Sequence, residues 1–79
     1  MMKEIDSEIA CFVFRTSLID KRDVEQISVA MNTHPDIAEW SVDLENWEKV
    51  LRVESSGIDV NGIKLLLRSK GFYCSEMEI

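Results

Sequence analysis

Two carboxylates three residues apart, Asp20 and Asp23 in the stretch "SLIDKRD", are the side chains best placed for chemistry in this chain. Carboxylates are hard ligands that suit Ca(II) or Mg(II), ions that demand about six or more oxygens or several retained waters, and two aspartates alone do not build that cage. A helix start uses the same pair without any ligand. Asp20 has the right type for an N-cap, and Asp23 falls three residues later with its charge against the positive helix end. Ile19 and Val24 also have the spacing of a hydrophobic staple. Capping is therefore the expected role of the pair, and a weak divalent site is the lesser alternative. Cys11, inside an apolar run, is expected to be a buried structural thiol. Cys74 is expected to be an inert strand position, with a redox or substitute-ligand role as its sharper alternative. His34 stands alone before Pro35 and is expected in a solvent-exposed turn. No nucleophile has a neighbouring base and no glycine-rich loop could cradle phosphate, so no catalytic and no cofactor-binding residue is expected.

The elements that must position these groups follow from periodicity. "IACFVF" at 9–14 is a short run of β-branched and aromatic residues, and the "TSLID" after it breaks the pattern as a strand entering a loop would. From Asp20, Val24, Ile27, Ala30 and Met31 recur at helical spacing while Lys21, Arg22, Glu25 and Gln26 face away. This predicts a helix to about Asn32, closed by His34-Pro35. "IAEWSVDLE" at 37–45 alternates with period two, placing Trp40, Val42 and Leu44 on one side. Asn46, Trp47 and Glu48 predict a hairpin turn into an antiparallel strand at 49–55. Asp59 can cap a second helix that turns Val60, Ile63, Leu66 and Leu67 inward, and Gly71 stands where a helix ends in the left-handed conformation. "FYCSEMEI" supplies a last strand. The order predicts an α+β fold, βαββαβ, with a four-stranded antiparallel sheet and two helices on one face. Trp40 is expected to face the helices. Trp47 is harder to bury, and with Cys11 and Val13 on an open sheet face it would form a patch for a partner or a second copy.

Composition bounds what such a domain can do. The 79 residues are 46% hydrophobic and 30% charged, the balance of one small globular domain spanning 1–79, with 1–7 expected to be loosely ordered. A core of this size leaves a net stability of roughly 3–5 kcal/mol. Two cysteines are too few for a secreted disulfide framework, and no leader pattern opens the chain, so a cytoplasmic location is expected. No apolar run approaches the ~18 residues of a membrane span. Nine basic against fifteen acidic residues give a net charge of -6, which repels nucleic acid and favours solubility or a basic partner.

Several stretches in register carry a family resemblance across nearly the whole chain. "VEQISVAM" resembles the first helix of the heavy-metal-associated (HMA) domain, "HPDIAEWSVDLEN" its turn and following strand, and "IKLLLRSKGF" its second helix ending in Gly-Phe. The resemblance implies the ferredoxin-like fold of copper chaperones, with a metal motif M-x-C-x-x-C on the loop entering the first helix. That motif falls on Leu18, Ile19, Asp20, Lys21, Arg22 and Asp23. Both cysteines are aspartates here and the methionine is a leucine. The resemblance also places Phe72 beside the metal loop, with Cys74 two residues further on the same strand face. Soft thiolates select Cu(I), so a loop without them is not expected to hold a metal. The expectation is a metal-site-deficient HMA-like module serving protein interaction or regulation, with an unknown protein partner, a weak homodimer and no cofactor. The alternative is a metal carrier or accessory metal-homeostasis protein. An acylphosphatase-like enzyme on the same fold is disfavoured, since "RTSLID" lacks a glycine-rich phosphate cradle and Arg15 alone does not replace it.

Overall fold

A computed structural model of the chain describes residues 9–77. Its elements follow the predicted order: β1 (Ala10–Thr16), α1 (Lys21–Thr33), β2 (Ile37–Asp43), β3 (Val50–Ser55), α2 (Val60–Ser69) and β4 (Cys74–Glu76). The strands form one antiparallel sheet in the order β2-β3-β1-β4. The expected loose order of residues 1–7 falls outside the described residues.

Strand alternation decides which side of the sheet the helices cover. Phe14 lies opposite Leu51, and Phe12 opposite Val53; Val42 and Trp40 continue the same two rows on β2. Phe14, Leu51 and Val53 are buried against Ile27 and Met31 of α1 and Ile63 and Leu67 of α2, so both helices lie on one face. Each of these large apolar side chains gains about 1.5–3 kcal/mol by leaving water. Trp40 faces this side as expected, half-buried, with its indole Nε1 donating to Asn32 Oδ1 on α1 at 2.8 Å. Residues of the other parity, Cys11, Val13, Arg15, Ser41, Arg52 and Glu54, line the uncovered face.

That parity corrects the expectation for Cys11. It is exposed, not buried, because an apolar run in a sheet covered on one side only still sends every second residue outward. Thr16, not Cys11, is the β1 residue opposite Cys74, so the two thiols are separated along β1 and on opposite faces, and both are free.

The ends of the elements differ from the expected bounds for local reasons. β2 stops at Asp43 because the Asp43 carboxylate accepts from the Glu45 amide, and Asn46 Oδ1 then accepts from the Glu48 amide at 2.8 Å. Lys49 follows with a φ of 51°, so β3 starts at Val50. α2 ends as predicted: Gly71, at φ 90°, donates its amide to the Arg68 carbonyl, and Phe72 donates to Leu67. This is the paired closure of a Schellman motif, which needs a residue that tolerates positive φ. His34 is half-buried rather than exposed. It caps the C-terminus of α1, and its Nδ1 accepts from the Asp36 amide at 3.1 Å.

Candidate functional site

The β1–α1 loop, where the aspartates lie, is tied to two other loops at its end of the sheet. The Thr16 amide donates to the Glu48 carbonyl and its hydroxyl to the Lys49 carbonyl at 2.6 Å, which joins it to the β2–β3 hairpin. Ser17 donates its amide to the Tyr73 carbonyl at 3.0 Å, and Tyr73 returns its own amide to Ser17 Oγ at 2.9 Å. Leu18 then turns inward and is only 1% exposed, while its neighbour Ile19 is 71% exposed. The staple expected between Ile19 and Val24 therefore does not shield Ile19: burying Leu18 in the core turns the next residue outward.

Both carboxylates face the loop's own backbone. Asp20 is the N-cap of α1, with Oδ1 accepting from the amides of Arg22 at 3.0 Å and Asp23 at 3.3 Å. Asp23 reaches back, and its Oδ2 accepts from the Ile19 amide at 2.9 Å. The two side chains thus satisfy three loop and first-turn donors in a reciprocal arrangement akin to a capping box, displaced by one residue toward the N-terminus.

Cys74 is placed apart from this pair. It is half-buried opposite Thr16, and lines a groove of about 500 Å³ with Asn61, Lys64, Leu65, Arg68 and Tyr73. Asp20 lines a different, shallow depression with Lys21, Arg22 and Glu25. Burial pushes the Cys74 thiol above its ordinary pKa, and the Lys64 charge pulls it partly back. A thiol kept protonated in this way is a poorer ligand and nucleophile than an ordinary one. Phe72 packs on the core, and it is Tyr73 that touches the loop backbone. Among the described residues, no group of three or more His, Cys, Asp or Glu is arranged to hold a metal ion.

The groove residues Lys64, Leu65, Arg68 and Tyr73 did not stand out in the sequence. Their signal was faint: Leu65 lies off the inward face of α2, and Lys64 and Arg68 sit one turn apart on the same side of it.

Among solved structures, the apo form of the HMA domain of copper chaperone for superoxide dismutase superposes with a TM-score of 0.77 at 12% identity, over 96% of this chain and 76% of that one. The fold is that of an HMA domain. The copper(I)-loaded first domain of the human copper chaperone for SOD1 matches this chain with a TM-score of 0.76 at 13% identity, over 89% of this chain and 94% of that one. No protein-family model matches the sequence, and no curated protein matches it. No helix of the described residues is long and apolar enough to cross a membrane.

The residues of the β1–α1 loop do not fit a soft Cu(I) ion. Its two side chains are hard oxygen donors, and one oxygen of each already accepts from the backbone.

Proposed function

We propose that the chain is a single-domain, cytoplasmic, non-enzymatic module on the HMA fold that does not carry metal and acts through protein contacts. The observation that supports this most directly is the engagement of Asp20 and Asp23 with the loop's own amides. A metal carrier needs ligands whose donor atoms are open to the ion and soft enough to select it. Here the donors are hard, and binding an ion through them would compete with hydrogen bonds that hold the start of α1. The net charge of -6 speaks against nucleic acid as the partner. The uncovered sheet face, with Cys11, Val13, Arg15, Arg52 and Glu54, supports a weak homodimer, which light scattering over a concentration series would register.

The competing reading, a copper carrier, draws on what the structural neighbours are named for. A Cu(I) competition against bicinchoninate separates the two. Wild type is expected to withdraw no more copper than a protein with two separated thiols. Asp20→Cys combined with Asp23→Cys is expected to create a chelator-resistant site, since two thiolates at a helix N-terminus favour the ion through softness and the dipole. Wild type competing as well as the double variant would sink the proposal.

A further inference from the structure

We infer that the groove between α2 and β4 is a docking site for an extended acidic peptide segment of a partner protein, which adds as a strand to the free edge of β4. This inference rests on the protein-interaction reading above and names its surface and partner chemistry. It draws on three features.

The first is charge. The chain is acidic overall, at -6, yet α2 carries Lys64 and Arg68 and no acidic residue, and no acidic side chain lines the groove. Among the described residues, neither cation is in an ion pair. Like charges one helical turn apart repel mildly, so an anionic occupant would relieve the helix as well as bind it.

The second is apolar exposure. Leu65 is 66% and Tyr73 67% exposed on the two sides of the groove, and the Arg68 guanidinium lies 5.8 Å from the Tyr73 ring centroid. That cation–π contact holds the ring beside the cation. An occupant with one apolar side chain beside its acids would cover both.

The third is backbone. Among the described residues, β4 pairs with β1 on one side and has no strand on the other. Tyr73 and Met77 bond inward, the first to Ser17 and the second to the Val13 carbonyl at 2.7 Å. Antiparallel alternation then turns the amides and carbonyls of Cys74 and Glu76 toward the open edge, where an incoming strand can pair with them. Four residues of α2 rise about 6 Å from Lys64 to Arg68, and alternate residues of a strand are about 6.8 Å apart. A strand lying along the groove with acids at positions i and i+2 therefore matches the two cations. Unmet backbone pairing on the edge favours a peptide over a lipid headgroup, which offers charge but no strand.

The probe is the blocked heptapeptide Thr-Glu-Thr-Glu-Thr-Leu-Thr, labelled for fluorescence anisotropy, with amide shifts of the full chain followed by NMR. Binding with a dissociation constant on the order of 0.1 mM is expected, as for a short segment ordered on binding. Shifts should concentrate at Leu65, Tyr73, Cys74 and Glu76, and raising the salt from about 0.05 to about 0.5 M should weaken the complex. Lys64→Glu with Arg68→Glu, both on exposed positions, should keep the thermal unfolding profile and lose about tenfold or more in affinity. Replacing the Thr between the two Glu of the peptide by Pro should lose binding, since a strand without that amide cannot complete its ladder. The proposal is overturned if the peptide does not bind at about 1 mM, or if the Lys-for-Glu peptide binds equally. Shifts that map to the uncovered sheet face, or phosphatidylserine vesicles that bind the chain where the peptide does not, would also overturn it. A chain lacking residues 1–8 that binds the peptide about tenfold tighter would move the assignment to its own N-terminal segment, where Glu4, Asp6 and Glu8 also alternate. The copper competition is independent of all these outcomes, so a failed groove leaves the metal-deficient reading to its own test.

Discussion

The loop entering α1 and the groove beside α2 both adjoin the Ser17–Tyr73 contact, yet they face opposite ways chemically. In the loop, charged groups turn onto their own backbone: Asp20 and Asp23 accept from three nearby amides. In the groove, Lys64 and Arg68 find no such local acceptor among the described residues, and Leu65 and Tyr73 stand in water. Residue type alone does not make a site. A charged side chain is available to a ligand only to the extent that the fold leaves its hydrogen bonds unmet.

The largest effect expected from this contrast concerns two leucines. Leu18→Ala, in the loop, should cost about 2–5 kcal/mol by opening a cavity in the core, whereas Leu65→Ala, in the groove, should stay within about 0.5 kcal/mol of wild type. Guanidinium unfolding of the two variants side by side measures this. Equal losses would erase the distinction between an inward loop and an outward groove.

Next in size is the cap. Asp20→Ala should destabilise the chain by about 0.5–2 kcal/mol, equally with and without a chelator, and Asp20→Asn by much less because the amide oxygen still accepts. A loss seen only when metal is present would turn the loop back into a ligand site.

A smaller effect tests the α2 stop that carries the chain into the groove. Gly71 has φ 90°, and among the described residues no atom beyond its chain neighbours lies within 4 Å of where a Cβ would stand, so Gly71→Ala meets backbone strain but no clash and should cost roughly 1 kcal/mol. Gly71→Asn, better suited to the left-handed region, should recover part of it in the same melting experiment.

Smallest in energy is the contrast between the thiols. Cys11, exposed on the open sheet face, should be alkylated by iodoacetamide well before half-buried Cys74. Because burial raises the folded pKa of Cys74, the unfolded chain loses that proton first as pH rises. The contribution of this thiol to stability is therefore complete below the ordinary thiol range and declines through it toward the higher folded value. Cys74→Ala should flatten the alkaline limb of a stability–pH curve slightly, and an unchanged limb would remove the thiol from that account.

How legible each region was in the sequence follows from the range of the interactions that make it. The two helices announced themselves because caps and inward faces are local: Asp20, Asp59 and Gly71 all act within a few residues of themselves. The second strand was equally clear, since Trp40 and Val42 alternate with polar neighbours. The first strand misled at Cys11, because "ACFVF" is apolar on both parities and carries no mark of which side is covered. The capping role of the aspartates could be read, but not the reach of Asp23 to the Ile19 amide, which depends on Leu18 turning into the core. The groove was hidden for a stronger reason. Lys64 and Tyr73 belong to different elements, and only the Schellman turn and the β1–β4 pairing bring them to one wall.

Leu18 has one more consequence, for motion. A loop that opens and closes around a guest must be able to move while the body of the fold stays intact, and here one of its residues is a core side chain packed with Phe14, Ile27 and Met31. Lifting the loop would withdraw that side chain and expose the helices' inner faces to water. The loop and the core should therefore breathe as one cooperative unit.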